Sequence, residues 1–252
     1  MTLTPDGAFA AHNDRPRPTW LITEDDAIDT EIAALQTGKE ADAFLLERSL
    51  GDRSHLLVAK RYRDRTHRGF HNDAAYRAGR RTGNRRDDLA MAQGSRVGLR
   101  MRDQQWAWHE FQTLRQLWNA WAPVPYPIAA AGSEVLMEYV GDVEEPAPRL
   151  IDIARNHQVD FAALWNQCLT ALRTMTALGV VHADLSAYNI LVRDGQIFII
   201  DFPQSVEIRM NENDMEFLRR DVDNLVTFFG RAGVRADTEE VFADLVSRIS
   251  WL

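Results

Sequence analysis

The chain has 252 residues, of which 45% are hydrophobic and 26% charged, a composition typical of one globular unit or two small lobes. The formal net charge of -8 at pH 7 argues against general nucleic-acid binding. The single cysteine, Cys168, excludes a disulfide framework and a cysteine-based zinc site, and it suits a reducing, cytoplasmic compartment. No apolar run reaches the roughly 20 residues of a membrane span, and we expect no signal peptide in the proline-rich N-terminal segment.

The use of lysine is unusual. Only two of the 29 basic residues are lysines, Lys39 and Lys60. A genome that favours arginine codons would explain the arginines. It would still leave lysine where a compact ammonium is required, because the planar guanidinium is not an equivalent replacement. The two lysines are therefore candidate functional residues.

The first predicted element is a mobile arm, residues 1–25, which is polar and shows no helical or strand periodicity. Three β-like runs follow at Glu31–Gln36, Ala43–Glu47 and His55–Tyr62, a pattern that predicts an antiparallel meander. The Arg-rich residues 61–102 come next and predict a flexible insertion. The alternative is a cationic surface for an acidic partner, with RNA or a ribosomal particle as one option.

A helix is predicted from Arg102 to Trp121, because apolar residues recur there on one helical face. That buried face would consist of Ala107, Phe111, Leu114, Trp118 and Trp121. Two further strands, Ile128–Ala131 and Val135–Tyr139, would complete a first lobe over residues 26–140.

The second half, residues 141–252, follows a linker rich in Gly and Pro and is predicted to be mostly helical. The helices are predicted at Val159–Leu178, Asp214–Phe229 and Asp237–Trp251. Gly230 would end the second of these helices. Two short strands, Ile190–Arg193 and Gln196–Ile200, would form a hairpin between the first and second helices.

The segment from His182 to Asp201 carries the most specific chemistry. Asp184 is followed five residues later by Asn189, and Asp201 ends the next apolar strand. Phosphoryl transfer from ATP needs a carboxylate that orients the acceptor hydroxyl and hard oxygen ligands that hold Mg²⁺. Asp184 fits the first role, and Asn189 and Asp201 fit the second. His182 would brace the loop through side-chain hydrogen bonds.

The N-terminal half supplies the residues that would bind the nucleotide. Lys60 lies late in the third strand, where a kinase places the lysine that pairs with phosphates. Glu110 lies on the shoulder of the buried helix face, from which it could pair with Lys60. Backbone groups around Glu138 and Val140 would contact adenine.

Together these motifs resemble those of the RIO-type atypical serine/threonine protein kinases. The resemblance rests on Thr37-Gly38-Lys39-Glu40-Ala41, Val58-Ala59-Lys60, His182-Ala183-Asp184-Leu185-Ser186 through Asn189, Ile199-Ile200-Asp201 and Phe217-Leu218-Arg219-Arg220-Asp221. It implies an α+β, bilobal protein-kinase-like fold. The N-lobe would have five antiparallel strands and one main helix, and the C-lobe would be reduced and mostly helical.

The resemblance also implies ATP and Mg²⁺ as cofactors. Thr37, Gly38, Lys39 and Glu40 would form the phosphate loop. ATP hydrolysis, autophosphorylation and phosphorylation of Asp201 belong to the behaviour of the family. The protein substrate stays open, with the chain itself as one expected substrate.

Two alternatives remain at this point. Aminoglycoside- and choline-type phosphotransferases share the pattern of His182, Asp184 and Asn189, but they carry a larger helical region after the metal-binding aspartate. Here 51 residues follow Asp201 (252 − 201). In the other alternative, a binding module whose conformation depends on nucleotide would dock on RNA or a ribonucleoprotein through residues 61–102.

Overall fold

The computed structural model describes residues 15–38, 40–63, 96–142, 145–156, 158–208 and 212–249. Lys39 and most of the predicted arm, residues 1–14, lie outside the described residues, as does the central part of the Arg-rich stretch, residues 64–95. The predictions made for these residues remain predictions.

The chain divides into two compact units. The first comprises residues 1–115 and 126–139, and the second comprises residues 116–125 and 140–252. None of the helices in the described parts of the chain is long and apolar enough to cross a membrane.

The first unit contains a five-stranded antiparallel sheet in the order β1-β2-β3-β5-β4. The strands are β1 (Ile28–Thr37), β2 (Ala41–Leu50), β3 (Arg53–Tyr62), β4 (Pro127–Ala131) and β5 (Glu134–Glu138). Side chains alternate between the two faces of a strand, and in the central strand β3 the apolar Leu57 and Ala59 are fully buried on one of these faces. Gly51, with φ +58°, begins the two-residue turn between β2 and β3, a conformation that favours glycine.

Helix α1 (Arg96–Asn119) begins earlier and ends earlier than predicted. The chain leaves the helix at Trp121, which adopts φ 62°, and Ala122 N–H donates to the Leu117 carbonyl at 3.0 Å. This is the hydrogen bond of a Schellman motif, which closes a helix with one left-handed residue. Trp121 is 65% exposed, so the prediction that it lies on the buried face is wrong.

The second unit is mostly helical. Its elements are α2 (Phe161–Ala177), β6 (Val180–Val181), β7 (Ile190–Arg193), β8 (Gln196–Ile199), β9 (Val206–Glu207), α3 (Glu212–Arg231) and α4 (Thr238–Val246). Strands β7 and β8 form the predicted hairpin, and β6 pairs with β9 in a second two-stranded sheet. Asp160 and Asp237 cap the N-termini of α2 and α4 by accepting the backbone N–H three residues on.

The last two helices of this unit end at other residues than predicted. Helix α3 continues through Gly230, and it is Gly233, with φ +88°, that reverses the chain while Val234 N–H donates to the Phe229 carbonyl. Helix α4 ends at Val246, five residues before the predicted end at Trp251.

Candidate active site

The described site residues fall into two groups, one in each unit. In the first unit, Lys60 lies on the central strand β3, between its register partners Ala43 on β2 and Val135 on β5. Its Nζ is 2.7 Å from Oε1 of Glu110 on α1. The Glu110 side chain is fully buried and that of Lys60 is 15% exposed. A buried carboxylate requires such a partner, because it is costly to ionise alone.

Tyr62 is a member of this group that the sequence reasoning missed. Its hydroxyl donates to the second oxygen of Glu110, Oε2, at 2.5 Å. The ring packs edge-on against Trp106 of α1, with 6.1 Å between centroids. The sequence could have indicated Tyr62, because residues two apart in a β-strand, such as Lys60 and Tyr62, lie on the same face of the sheet.

The predicted phosphate loop connects β1 to β2. Gly38 N–H donates to the carbonyl of Ala41 at 3.0 Å. A Cβ atom at Gly38 would lie 2.7 Å from that carbonyl oxygen, so the loop requires glycine there. The Glu40 carbonyl accepts the N–H of Arg63 at 3.1 Å. Thr37 is the last residue of β1, and Lys39 lies outside the described residues.

Glu138 ends β5, and its backbone and side chain both bind Tyr126. Glu138 N–H donates to the Tyr126 carbonyl at 2.8 Å, and Glu138 Oε2 accepts the Tyr126 N–H at 3.0 Å. Val140 belongs to the second unit, where its carbonyl accepts the N–H of Ala147 at 3.0 Å. These bonds order the segment, while the predicted adenine contacts remain a prediction.

In the second unit, hydrogen bonds bring Asp184, Asn189 and the strand end before Asp201 together. Asn189 Nδ2 donates to the Asp184 carbonyl at 2.9 Å. The Asn189 carbonyl accepts the N–H of Ile200 at 3.0 Å. The β7–β8 hairpin therefore joins the predicted catalytic loop to the residue that precedes Asp201.

His182 braces this arrangement from inside. Its fully buried ring places Nε2 3.0 Å from the Ile200 carbonyl and lies 4.7 Å from the ring of Phe202. Both neighbours of Asp201 in the chain are thus in contact with His182. Asp201 itself adopts φ 72°, and Ala183 adopts φ 68°. Left-handed backbone of this kind is disfavoured for residues with a Cβ and is common at functional sites.

The carboxyl of Asp184 has a raised pKa, which suits a proton acceptor. Partial burial raises its pKa above the ordinary value, and the charge of Asp201 raises it further, while the charges of His182 and Arg220 act in the opposite direction. Residue 184 is nevertheless exposed to solvent, so an acceptor hydroxyl can reach it. A raised pKa brings a carboxylate closer to the range that suits a general base.

Asp221 of α3 holds the loop from the far side. Its Oδ2 accepts the N–H of Ala183 and its Oδ1 accepts the N–H of Leu185, both at 2.8 Å. Burial raises the pKa of this carboxyl to about 6. Arg220 donates to the Ala183 carbonyl, and Asn224 Nδ2 donates to the Leu185 carbonyl at 2.9 Å. The backbone on both sides of Asp184 is therefore bonded to one helix.

The donor set suits magnesium. The described residues contain no cluster of three or more His, Cys, Asp or Glu side chains that could hold a metal alone. Asn189 and Asp201 instead offer one amide oxygen and one carboxylate. Mg²⁺ prefers such oxygen ligands and commonly completes its shell with water and substrate phosphates. The two residues therefore fit a magnesium ion that shares its coordination with a nucleotide.

The chain is similar to known proteins over most of its length. The RIO domain family matches residues 55–241. The RIO-type serine/threonine-protein kinase Rio1 of Haloferax volcanii is 31% identical over 94% of this chain and 73% of its own length. A probable serine/threonine-protein kinase RIO1 homolog of Encephalitozoon cuniculi is 36% identical over 57% of this chain and 37% of its own length.

Among solved structures, the Rio2 kinase–ADP/Mg²⁺–phosphoaspartate complex from Chaetomium thermophilum superposes with a TM-score of 0.60 at 22% identity. The match covers 87% of this chain and 62% of that chain. This likeness confirms the predicted α+β protein-kinase-like fold. With the family match over well more than half of its residues, the chain belongs to the RIO domain family.

Proposed function

We propose that this chain is an ATP- and Mg²⁺-dependent serine/threonine protein kinase that also autophosphorylates and hydrolyses ATP. The observation that carries the proposal is that hydrogen bonds join Asp184, Asn189 and the residue before Asp201, while Asp221 holds the backbone on both sides of Asp184. Two similar proteins support it: the RIO-type serine/threonine-protein kinase of Haloferax volcanii, and the Rio2 kinase in complex with ADP, Mg²⁺ and phosphoaspartate.

Each residue has a distinct role in this proposal. Asp184 accepts the proton of the acceptor hydroxyl as the hydroxyl attacks the γ-phosphate. Asn189 and Asp201 hold Mg²⁺, which neutralises phosphate charge when it is bound.

Lys60, oriented by Glu110, pairs with phosphate oxygens. The loop of Thr37, Gly38, Lys39 and Glu40 offers the Thr37 hydroxyl and the Lys39 ammonium and amide to the phosphates, and the backbone of Glu138 and Val140 contacts adenine.

Asp201 also fits a second role, as a phosphate acceptor. Its carboxylate oxygen would form a bond to the γ-phosphorus while the bond between that phosphorus and ADP breaks. Hydrolysis of the acyl phosphate would complete ATP turnover. Autophosphorylation on serine or threonine and transfer to another protein would use the same residues, with Asp184 as the base.

Neither alternative function gains support from the described residues. Strong phosphate transfer to aminoglycosides, choline or simple alcohols would favour a small-molecule phosphotransferase. An RNA or ribosomal partner rests on residues 61–102, most of which lie outside the described residues. We place the protein in the cytoplasm, because a chain with one cysteine, Cys168, is suited to a reducing compartment.

The decisive experiment compares Asp184→Asn with Asp194→Asn. Asp194 lies exposed in the turn between β7 and β8, with a φ of 52° that Asn adopts readily, so its variant should behave as wild type. Asp184→Asn should bind ATP normally and lose about 10²- to 10⁴-fold in the rate of phosphate transfer to serine and threonine, the usual contribution of a general base. Radiolabelled ATP with Mg²⁺ measures the transfer, and mass mapping separates phosphate on serine or threonine from phosphate on Asp201. Unchanged transfer to serine and threonine in Asp184→Asn would contradict the proposal.

A further inference from the structure

The Lys60–Glu110 pair is held by a third residue. The buried carboxylate of Glu110 divides its two oxygens between Lys60 Nζ at 2.7 Å and the Tyr62 hydroxyl at 2.5 Å. Tyr62 is itself only 5% exposed. A carboxylate bonded at one oxygen can still rotate about its last torsion, whereas bonds to both oxygens fix its plane.

Tyr62 is in turn fixed on a rigid strand. Its N–H donates to the Ser133 carbonyl at 2.9 Å, and its register partner on β2 is Ala41. Trp106 lies one helical turn before Glu110 on α1 and packs edge-on against the Tyr62 ring. The strand and the helix therefore both constrain the position of the hydroxyl.

Tyr62 also contacts the other partner of the pair. The Lys60 ammonium lies 5.3 Å from the centroid of the Tyr62 ring, a cation–π distance. Arg61, between the two on β3, pairs instead with Glu31 and Glu134. The alternation of the strand thus gives Lys60 and Tyr62 a common carboxylate.

We propose that Tyr62 is a positioning residue for nucleotide binding. It fixes the plane of the Glu110 carboxylate, and through it the position of the Lys60 ammonium that pairs with phosphate. This inference rests on the proposed role of the Lys60–Glu110 pair. The Tyr62 hydroxyl acts on ATP through Glu110, so its removal should change little once residue 110 can no longer pair with Lys60.

The test uses Tyr62→Phe, which retains the ring against Trp106 and removes only the hydroxyl. We expect about a tenfold rise in the KM for ATP, the effect of one hydrogen bond to a charged group, with kcat changed less than twofold. Thr176→Val is the matched control. It removes another buried hydroxyl, which donates to the Leu172 carbonyl in α2, and it should leave KM unchanged.

A double-mutant cycle distinguishes positioning from packing. In a Glu110→Met background, in which residue 110 has no oxygen to accept from either partner, Tyr62→Phe should add less than a twofold further rise in KM. A KM within twofold of wild type for the single variant would overturn the inference, and so would an equal loss in both backgrounds. If Glu110→Met and Lys60→Met themselves leave ATP affinity unchanged, the proposed role of the pair fails instead.

Circular dichroism and thermal unfolding establish that each variant is folded. If Tyr62→Phe does not fold, Trp106→Phe examines the same claim, because it weakens the edge contact that holds the tyrosine ring and leaves the hydroxyl in place. That variant should raise the KM for ATP about threefold, a loss near the lower end for an aromatic pair. An unchanged KM in the folded Trp106→Phe variant would then overturn the inference.

Discussion

In the first unit, Lys60 is positioned by other side chains: Glu110 pairs with it, and Tyr62 contacts both Lys60 and Glu110. In the second unit, Asp184 is positioned through the backbone of its neighbours, because Asp221 accepts the N–H groups of residues 183 and 185. The first arrangement depends on the size and charge of each side chain. The second depends on the buried carboxylate of Asp221, which fixes the backbone conformation on both sides of Asp184.

Among the described residues, the non-glycine positions with positive φ all lie in the second unit. Ala183 and Asp201 both have positive φ, a conformation that costs roughly 1–2 kcal/mol for a residue with a Cβ. The hydrogen bonds from α3 and His182 must offset that cost. The comparison therefore predicts that substitutions at Asp221 act first on folding, whereas substitutions at Lys60 act first on nucleotide binding.

The largest effect is expected for Asp221→Ala. Two buried N–H groups would lose their acceptor, each at a cost of about 1–3 kcal/mol, so the free energy of unfolding should fall by roughly 2–6 kcal/mol. Urea denaturation followed by circular dichroism measures this change. Asp223→Asn, an exposed carboxylate on the same helix, should change stability by less than about 0.5 kcal/mol. Equal stability of the two variants would refute the role given to Asp221.

The next effect is expected for Lys60→Arg. The planar guanidinium is larger than the ammonium and cannot occupy the same point beside Glu110 and Tyr62, so ATP affinity should fall about 10- to 100-fold. The matched control is Arg61→Lys, which alters the adjacent residue that pairs with Glu31 and Glu134 and should leave affinity unchanged. Titration with a fluorescent nucleotide measures both. Full affinity in Lys60→Arg would show that charge alone is sufficient at this position.

Much of this site could be predicted because its chemistry restricts residue type and spacing. The carboxylates and amide at Asp184, Asn189 and Asp201 follow from what phosphoryl transfer requires, and Lys60 follows from its place in an apolar strand. Tyr62 could not be recognised in the same way. An aromatic residue at the end of a strand predicts burial, and the destination of its hydroxyl depends on a helix 48 residues further along.

Helix ends and the residues that hold the catalytic loop were harder to predict for a related reason. Gly230 and Gly233 are equally plausible terminators in sequence, and only the structure shows which of them adopts positive φ. Trp121 occupies a left-handed position that sequence preference would assign to glycine or asparagine. Asp221 was part of a recognised motif, yet its contact with Ala183 spans 38 residues. Such long-range contacts leave no periodic signal.

The smallest effect concerns the pH dependence of turnover. Because burial and Asp201 raise the pKa of Asp184, turnover should fall with decreasing pH at values above the ordinary range of an aspartate, as the base becomes protonated. The charge of Arg220 lowers that pKa, so Arg220→Gln should move the acid limb of the kcat/KM profile to higher pH. Arg219→Gln alters the adjacent arginine, which pairs with the exposed Glu239, and should leave the limb in place.

Whether the acid limb moves distinguishes variants around Lys60 from variants around Asp184. Tyr62→Phe should raise the KM for ATP without moving the acid limb, because Tyr62 acts on the side chains around Lys60 and not on the base. Arg220→Gln should move the limb even where its effect on KM is small. A limb that moves equally in both variants would show that the two groups share one electrostatic environment, and the distinction between a side-chain cluster and a backbone-held base would then have to be abandoned.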